Sequence, residues 1–471
     1  MLSQRTVLYA VRRQFTSSSK PRLASAVVDK LDLDHNMQNQ PGQFTVSTFN
    51  KISPQGLAKF PANEYNVIAA DKDEASEEMK NTTHALMIRS HKLQLDDVPL
   101  TTRCIARCGA GTNNIPVPEM TRLGIPVFNT PGANANAVKE LVLCGLFLGS
   151  RRIIDGVNHM KKLGSEGLAR ERVEKDKALF GGQEIMGKTL GVIGLGHIGA
   201  STARSGANLG MNVVGFDPGM TIHSALKLPE NIQLEESMHG VFAKADYVSI
   251  NIPYIKGSPK DGGTHGIVGA ECFMAMKENA VLLNFARGEL VDSSALQSWF
   301  QGAGANGRYI SDFPDDLLWD HPNAVLLPHL GASTEEAEDA AAAMASITIQ
   351  SFLETGQIKN SVNFPETKLD VRSDTAIRIC VVNHNKSGVL SEILQVLAAA
   401  NMNILQQVNK SKGDVAYNVI DVELCEITGE LKTWSALQKT LTMIDGVISS
   451  RFMNDVYGTG YAKQIEGEYF V

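Results

Sequence analysis

Arg287 and His329 are the side chains whose type and setting best suit chemistry. Arg287 follows an apolar, β-prone run at residues 280–284, within Asn284-Phe-Ala-Arg-Gly-Glu-Leu-Val-Asp292. A guanidinium at a strand end can hold a carboxylate through a bidentate pair. His329 follows a second apolar run at 324–327, within Leu327-Pro-His-Leu-Gly-Ala-Ser333. An imidazole there suits general-base work near neutral pH. The acidic cluster Asp312-Phe-Pro-Asp-Asp316 could orient it and favour its charged form. Each signal also has a plain structural reading. Arg287 could form a surface ion pair, His329 could cap the helix starting near Ser333, and the acids could form a solvated turn. Their occurrence together, downstream of one strand–turn–helix signature, favours catalysis.

That signature is Val192-Ile-Gly-Leu-Gly-His-Ile-Gly199. The apolar run 189–193 reads as a buried parallel strand, residues 200–209 as a helix, and 212–216 as a second strand ending in Asp217. Gly194 permits the tight turn, Gly196 lets backbone approach a pyrophosphate, and Gly199 lets helix pack on strand. The helix N-terminus offers N–H groups to phosphate, and Asp217 suits both ribose hydroxyls, favouring NAD over NADP.

The elements that must position these groups alternate in type. Strands are expected at 45–49, 65–69, 85–88, 104–108 and 126–128, with a long helix across 135–148. Residues 155–180 read as charged and helical. A second set of strands is expected at 245–252, 280–284, 307–311 and 324–327. After residue 365 the pattern becomes βαββαβ: strands 376–382, 404–410, 415–424 and 447–452, with helices at 388–400 and 431–442. That order is ferredoxin-like. The fold class is therefore α/β, with two doubly wound domains, one flavodoxin-like and one Rossmann, nested one in the other, and a C-terminal βαββαβ domain. The boundaries read as 43–150 with 330–356 for the substrate domain, 151–329 for the NAD-binding domain and 373–457 for the C-terminal domain.

Composition sets the outer limits. The 471 residues allow about three domains, and 43% hydrophobic with 20% charged residues describes an ordinary globular chain. A net charge of −7 gives no general attraction to nucleic acid. No apolar stretch reaches the roughly 18 residues that span a bilayer. The six cysteines are scattered in a pattern that fits neither a zinc site nor a disulfide framework, and they read as buried thiols in a reducing compartment. No metal is expected. Residues 1–28 are rich in Arg and Ser and free of acids, the composition of a mitochondrial transit peptide; a basic tail is the other reading. Residues 29–42 read as a linker. A mitochondrial matrix location follows, with plastid or cytoplasm as alternatives.

With these residues in view, the chain resembles the D-isomer-specific 2-hydroxyacid dehydrogenases. The resemblance is carried by residues 194–199, 284–292 and Pro328-His-Leu-Gly-Ala-Ser-Thr334. Ile88-Arg-Ser90, Arg107-Cys-Gly-Ala-Gly-Thr-Asn-Asn-Ile115 and residues 129–140 support it. It covers residues 43–457, and the last part resembles an ACT domain. The resemblance implies NAD as cofactor. It implies that Arg287 binds the substrate carboxylate and polarises the C2 oxygen, while His329 takes the C2 hydroxyl proton. The family's third member is a Glu in a Glu-Pro context a few residues past Asp312. This sequence lacks it, and Asp316 is the nearest acid in register, with Asp315 beside it.

By the same resemblance His197 and Ile198 offer N–H groups to the pyrophosphate, and Asn251, Ile252 and Pro253 line the adenosine side. Ala286 and Gly331 belong to the cofactor set, and Asp312 matches a position that contacts the nicotinamide amide. Arg89, Ser90, Gly109, Ala110 and Gly111 match a substrate loop, with Asn113 its next contact. Arg89 either meets the phosphate of a doubly acidic substrate or forms a strand-end salt bridge. The implied reaction is oxidation of 3-phospho-D-glycerate to 3-phosphohydroxypyruvate, the entry to L-serine synthesis. Two other readings remain: a different 2-hydroxyacid such as glyoxylate, lactate or 2-hydroxyglutarate, and a non-catalytic NAD sensor. In the C-terminal domain Asn385 and Asn403 match residues that hold serine as an effector. Asn383 stands where serine-inhibited relatives carry His, and Ser387 replaces a Pro, so dimerisation through edge strands is an equal reading. A homodimer or homotetramer is expected.

Overall fold

Short apolar runs such as 85–88 and 281–284 become strands here with both of their faces covered. A computed structural model describes residues 44–70, 76–220, 225–226, 228–373, 376–423 and 434–453. The segments read as transit peptide and linker lie outside the described residues, as do Cys425 and residues 454–457. The chain divides into two units, Asn134–Ala337 and the described parts of Met1–Ala133 with Glu338–Val471.

In the second of these, β1 (Phe44–Phe49), β2 (Tyr65–Ala69), β3 (Ala85–Ile88), β4 (Cys104–Arg107) and β5 (Val127–Phe128) form a parallel sheet ordered β2-β1-β3-β4-β5. That is the flavodoxin-like order. Alternation along the strands splits the core in two: Leu86, Ile88 and Ile105 face one side, and Ala85, Met87 and Ala106 the other. The helix Glu335–Thr355 closes the latter side with Ala341, Ala345, Ile349 and Phe352.

The C-terminal module contributes β13 (Ala376–His384), β14 (Ile404–Lys412), β15 (Val415–Glu423) and β16 (Val447–Met453), in an antiparallel sheet ordered β14-β15-β13-β16. With the helices Val389–Ala399 and Trp434–Thr442 this is the ferredoxin-like βαββαβ arrangement. The sequence reading set it apart as a domain, yet it shares a core with the outer sheet. Cys380, Val382, Tyr417 and Met453 pack in one cluster with Phe128 and Phe352, while Ile379, Val381 and Ile420 face the module's own helices. The Tyr417 hydroxyl donates to the Gly356 carbonyl at 2.8 Å, and the Arg451 guanidinium sits 4.3 Å above the Phe352 ring.

The unit Asn134–Ala337 holds seven parallel strands: β6 (Thr189–Ile193), β7 (Asn212–Phe216), β8 (Gln233–Leu234), β9 (Tyr247–Ile250), β10 (Val281–Asn284), β11 (Arg308–Ser311) and β12 (Ala324–Leu326). Their order, β12-β11-β10-β9-β6-β7-β8, is that of the Rossmann fold with one strand added at the edge. Strand β9 is shorter than the apolar run suggested, because Ala245 ends the preceding helix and the Asp246 carboxylate accepts the Thr189 N–H.

The helix Ala135–Ser150 corrects the expected boundary at residue 150. It packs on this sheet rather than on the outer one: a Cβ on Gly145 would fall 2.5 Å from the Phe285 ring, and one on Gly149 2.5 Å from Val281. The charged stretch beyond it forms the helices Ile153–Ser165 and Ala169–Asp176. Not every thiol is buried as expected, since Cys144 is exposed. Among the described residues no helix is long and apolar enough to cross a membrane, and no His/Cys/Asp/Glu group is arranged for a metal ion.

Candidate active site

The chemistry-bearing residues of Asn134–Ala337 stand at the carboxyl ends of its strands, where parallel sheets bind ligands. After β6 the backbone turns at Gly194, φ +85°. A Cβ on Gly199 would lie 1.8 Å from the Gly194 carbonyl oxygen, so no other residue fits there. Gly196 has no atom within 4 Å of a Cβ position, leaving its backbone open to a ligand. It is the N-cap of the helix His197–Asn208 and supplies no side-chain cap. The first N–H groups of that helix, including those of His197 and Ile198, are thus available to an anion.

Asp217 ends β7. Its carboxylate accepts the N–H groups of Leu195 and Gly219, both at 2.8 Å, and keeps lone pairs for two hydroxyls. Asn251 directly follows β9, with its N–H on the Ile193 carbonyl, and leads into Ile252 and Pro253. A cradle that a Cβ would fill, free helix N–H groups and an acid at the second strand end together fit a dinucleotide.

Beyond β10 the turn carrying Arg287 is riveted by Asn284, whose side chain is fully buried. Its Oδ1 accepts the Ala286 N–H at 3.2 Å, and its Nδ2 donates to the Arg287 carbonyl at 2.9 Å and the Tyr309 hydroxyl at 3.1 Å. Arg287 is half-buried, with extended backbone and one Nη1 bond to the Ala286 carbonyl.

His329 is exposed and left-handed, φ 60°, a conformation that costs a non-glycine residue on the order of 1 kcal/mol and needs support from its surroundings. Asp312, 1% exposed, supplies that support: Oδ1 accepts the Leu330 N–H at 2.7 Å and Oδ2 the Gly331 N–H at 2.6 Å. The Phe313 ring lies 4.8 Å from the imidazole. The acids expected to orient His329 are not brought to it. Asp315 accepts from the Ser293 hydroxyl and the Leu317 N–H, and Asp316 is exposed. Asp312, expected against the nicotinamide amide, accepts one N–H of the His329 loop on each carboxylate oxygen.

In the other unit, the loop after β3 is built around Arg89. The left-handed Asn50 accepts the N–H groups of Ser90 and His91. The Arg89 carbonyl accepts from Arg107 Nε and Asn114 Nδ2. The Arg89 guanidinium pairs with Glu338 at 2.6 Å, so the strand-end salt bridge is formed. Gly109 (φ 148°) sits against Arg107, where a Cβ would fall 1.9 Å from Nη1. Its carbonyl and that of Ala110 are held by Thr130 and Asn129, while Asn113 is exposed and Gly111 half-buried. Burial pushes the Cys104 and Cys108 thiols up to about 12, which makes them packing groups. In the C-terminal module Asn385 donates to the Gly413 carbonyl and Asn403 to Glu423. The sequence reading did not single out Asn50, Asn284, Phe313 or Glu338; only the position of Asn284 at a strand end before Arg287 hinted at its role.

Residues 150–331 match the family model described as D-isomer specific 2-hydroxyacid dehydrogenase, NAD binding domain. A relative from Dictyostelium discoideum named D-3-phosphoglycerate dehydrogenase is 30% identical over 375 residues, 77% of this chain and 86% of that one. The chain belongs to the D-isomer-specific 2-hydroxyacid dehydrogenase family. A second relative of the same name, from Haemophilus influenzae, is 29% identical over 83% of this chain and 91% of its own. The fold is also that of an NAD+-bound 3-phosphoglycerate dehydrogenase from Entamoeba histolytica, TM-score 0.54 at 22% identity, covering 68% of this chain and 99% of that one. As a member of this family the protein is an oxidoreductase with NAD as cofactor.

Proposed function

We propose that this dehydrogenase oxidises 3-phospho-D-glycerate to 3-phosphohydroxypyruvate, the first step of L-serine synthesis. The observation that carries the reading is the pairing of an Asn284-anchored Arg287 with an Asp312-anchored His329 on a sheet whose first turn fits NAD. The relatives' shared name points to the substrate. NAD, when bound, supplies the two-electron acceptor, held by Gly194, Gly196, Gly199, His197, Ile198, Asp217 and Asn251. Arg287 fixes the substrate carboxylate and draws electron density from the C2 oxygen. His329 takes the hydroxyl proton as general base, and returns it in the reverse direction. Arg89, Ser90, Gly109, Ala110, Gly111 and Asn113 are assigned to the remaining, phosphate-bearing part of the substrate, which requires Arg89 to exchange Glu338 for phosphate.

The C-terminal module is assigned as an ACT domain whose effector is an amino acid, L-serine first, at Asn385 and Asn403. The protein is assigned to the mitochondrial matrix on the composition of residues 1–28, and to a homodimer or homotetramer. Reduction of 3-phosphohydroxypyruvate by NADH, compared with glyoxylate and 2-oxoglutarate at equal concentration, tests the substrate. Preference for either of the last two overturns it. L-serine in the same assay tests the effector, and residues 1–42 fused to a fluorescent reporter test the address.

A further inference from the structure

We propose that Asp312 is the positioning residue for His329, acting through the backbone. The proposal rests on the dehydrogenase reading above and concerns how its base is held.

Asp312 directly follows β11, with its own N–H on the Asn284 carbonyl at 3.0 Å. Its buried carboxylate takes the two peptide N–H groups that directly follow His329, in short charge-assisted bonds. Gly331 makes this approach feasible, since a Cβ there would already stand 3.0 Å from Asp312 Oδ2. The left-handed turn at His329 is thus pinned on its carboxyl side. The next residue, Phe313, places its ring 4.8 Å from the imidazole at 57°. One dipeptide therefore touches both the backbone and the ring of the base. Asp315 is engaged by the Ser293 hydroxyl at 2.5 Å and the Leu317 N–H at 2.9 Å, capping its own turn. Asp316 faces solvent. Asn284 carries the Arg287 turn and receives the Asp312 N–H, so the anchors of the two functional side chains stand at the carboxyl ends of adjacent strands β10 and β11.

The test uses the full-length protein with Asp312→Asn, Asp315→Asn and Asp316→Asn. It reads kcat and KM for keto-acid reduction, NADH affinity by fluorescence, and the ring resonance of His329 in 13C-histidine-labelled protein, assigned with His329→Gln. Asp312→Asn is expected to lower kcat by about a hundredfold, to displace the His329 resonance and to leave NADH affinity within about twofold. Asp315→Asn and Asp316→Asn are expected to leave kcat within about twofold and the resonance in place. A tenfold or larger loss of kcat with a displaced resonance in Asp316→Asn or Asp315→Asn would overturn the proposal. So would an Asp312→Asn protein that binds NADH weakly with its His329 resonance unmoved, the mark of a nicotinamide contact. Should the wild-type protein reduce no keto acid, the dehydrogenase reading fails, and the resonance still decides how His329 is held.

Discussion

Gly199 sits so near Gly194 that a Cβ on it would fall 1.8 Å from the Gly194 carbonyl oxygen. The helix assigned to the pyrophosphate and the turn that precedes it are therefore in backbone contact. Gly199→Ala must push them apart and move the N–H groups of His197 and Ile198. NADH affinity is expected to fall by about tenfold or more, each factor of ten being about 1.4 kcal/mol. Fluorescence titration with NADH reads it.

Asp217 holds the Leu195 N–H with one oxygen and the Gly219 N–H with the other. A 2′-phosphate near it would meet like charge. Asp217→Ser should weaken NAD use and raise NADP use, narrowing the NAD/NADP ratio of kcat/KM by about tenfold or more. An unchanged ratio would remove Asp217 from cofactor selection.

Asn284 is expected to matter out of proportion to its distance from substrate. Asn284→Ala leaves the Ala286 N–H unpaired and the Arg287 carbonyl with only the Leu290 N–H, at a cost of about 1–3 kcal/mol. Thermal unfolding should fall accordingly, and KM for the acid substrate should rise more than KM for NADH.

Much of this was legible before the structure. The strand–turn–helix–strand run around residues 189–217 is local, so spacing alone located its glycines and Asp217. Arg287 and His329 stood out because each follows an apolar run. Asp312 was legible as an acid but its two bonds to the His329 loop were not, because they reach backbone groups 18 and 19 residues away. The helix Ala135–Ser150 was assigned to the wrong sheet because Gly145 and Gly149 declare their purpose only against Phe285 and Val281. The nearly continuous burial of β13 had the same cause: one of its faces is covered by a neighbour far away in sequence.

The Arg378–Asp421 pair predicts a stability effect. Both side chains are buried, joined by two bonds of 2.7 and 2.8 Å, and Arg378 also donates to the carbonyls of Thr355 and Asp370. Removing one partner should cost about 3–5 kcal/mol, while Arg378→Met with Asp421→Leu should cost less than either alone. Denaturant unfolding of the three variants checks it.

His84 gives a pH dependence. Burial first, then the charges of Arg103 and Arg451, lowers its pKa to about 3, and its Nδ1 accepts the Thr45 N–H at 2.9 Å. The folded protein keeps this imidazole neutral where the unfolded chain protonates it, near pH 6.5. The stabilising contribution is thus complete above about pH 6.5 and is lost as pH falls toward 3, by up to about 1.4 kcal/mol per pH unit. His84→Asn, which keeps an acceptor for Thr45, should flatten stability against pH in that window.

The most direct test of the central claim is NADH formation at 340 nm from NAD and 3-phospho-D-glycerate at alkaline pH, with hydrazine to trap the keto product. Wild-type protein should turn over, and His329→Ala should lose about 10²–10⁴-fold in kcat while still binding NADH. Tight NADH binding without turnover in the wild type, or full activity in His329→Ala, would contradict the account.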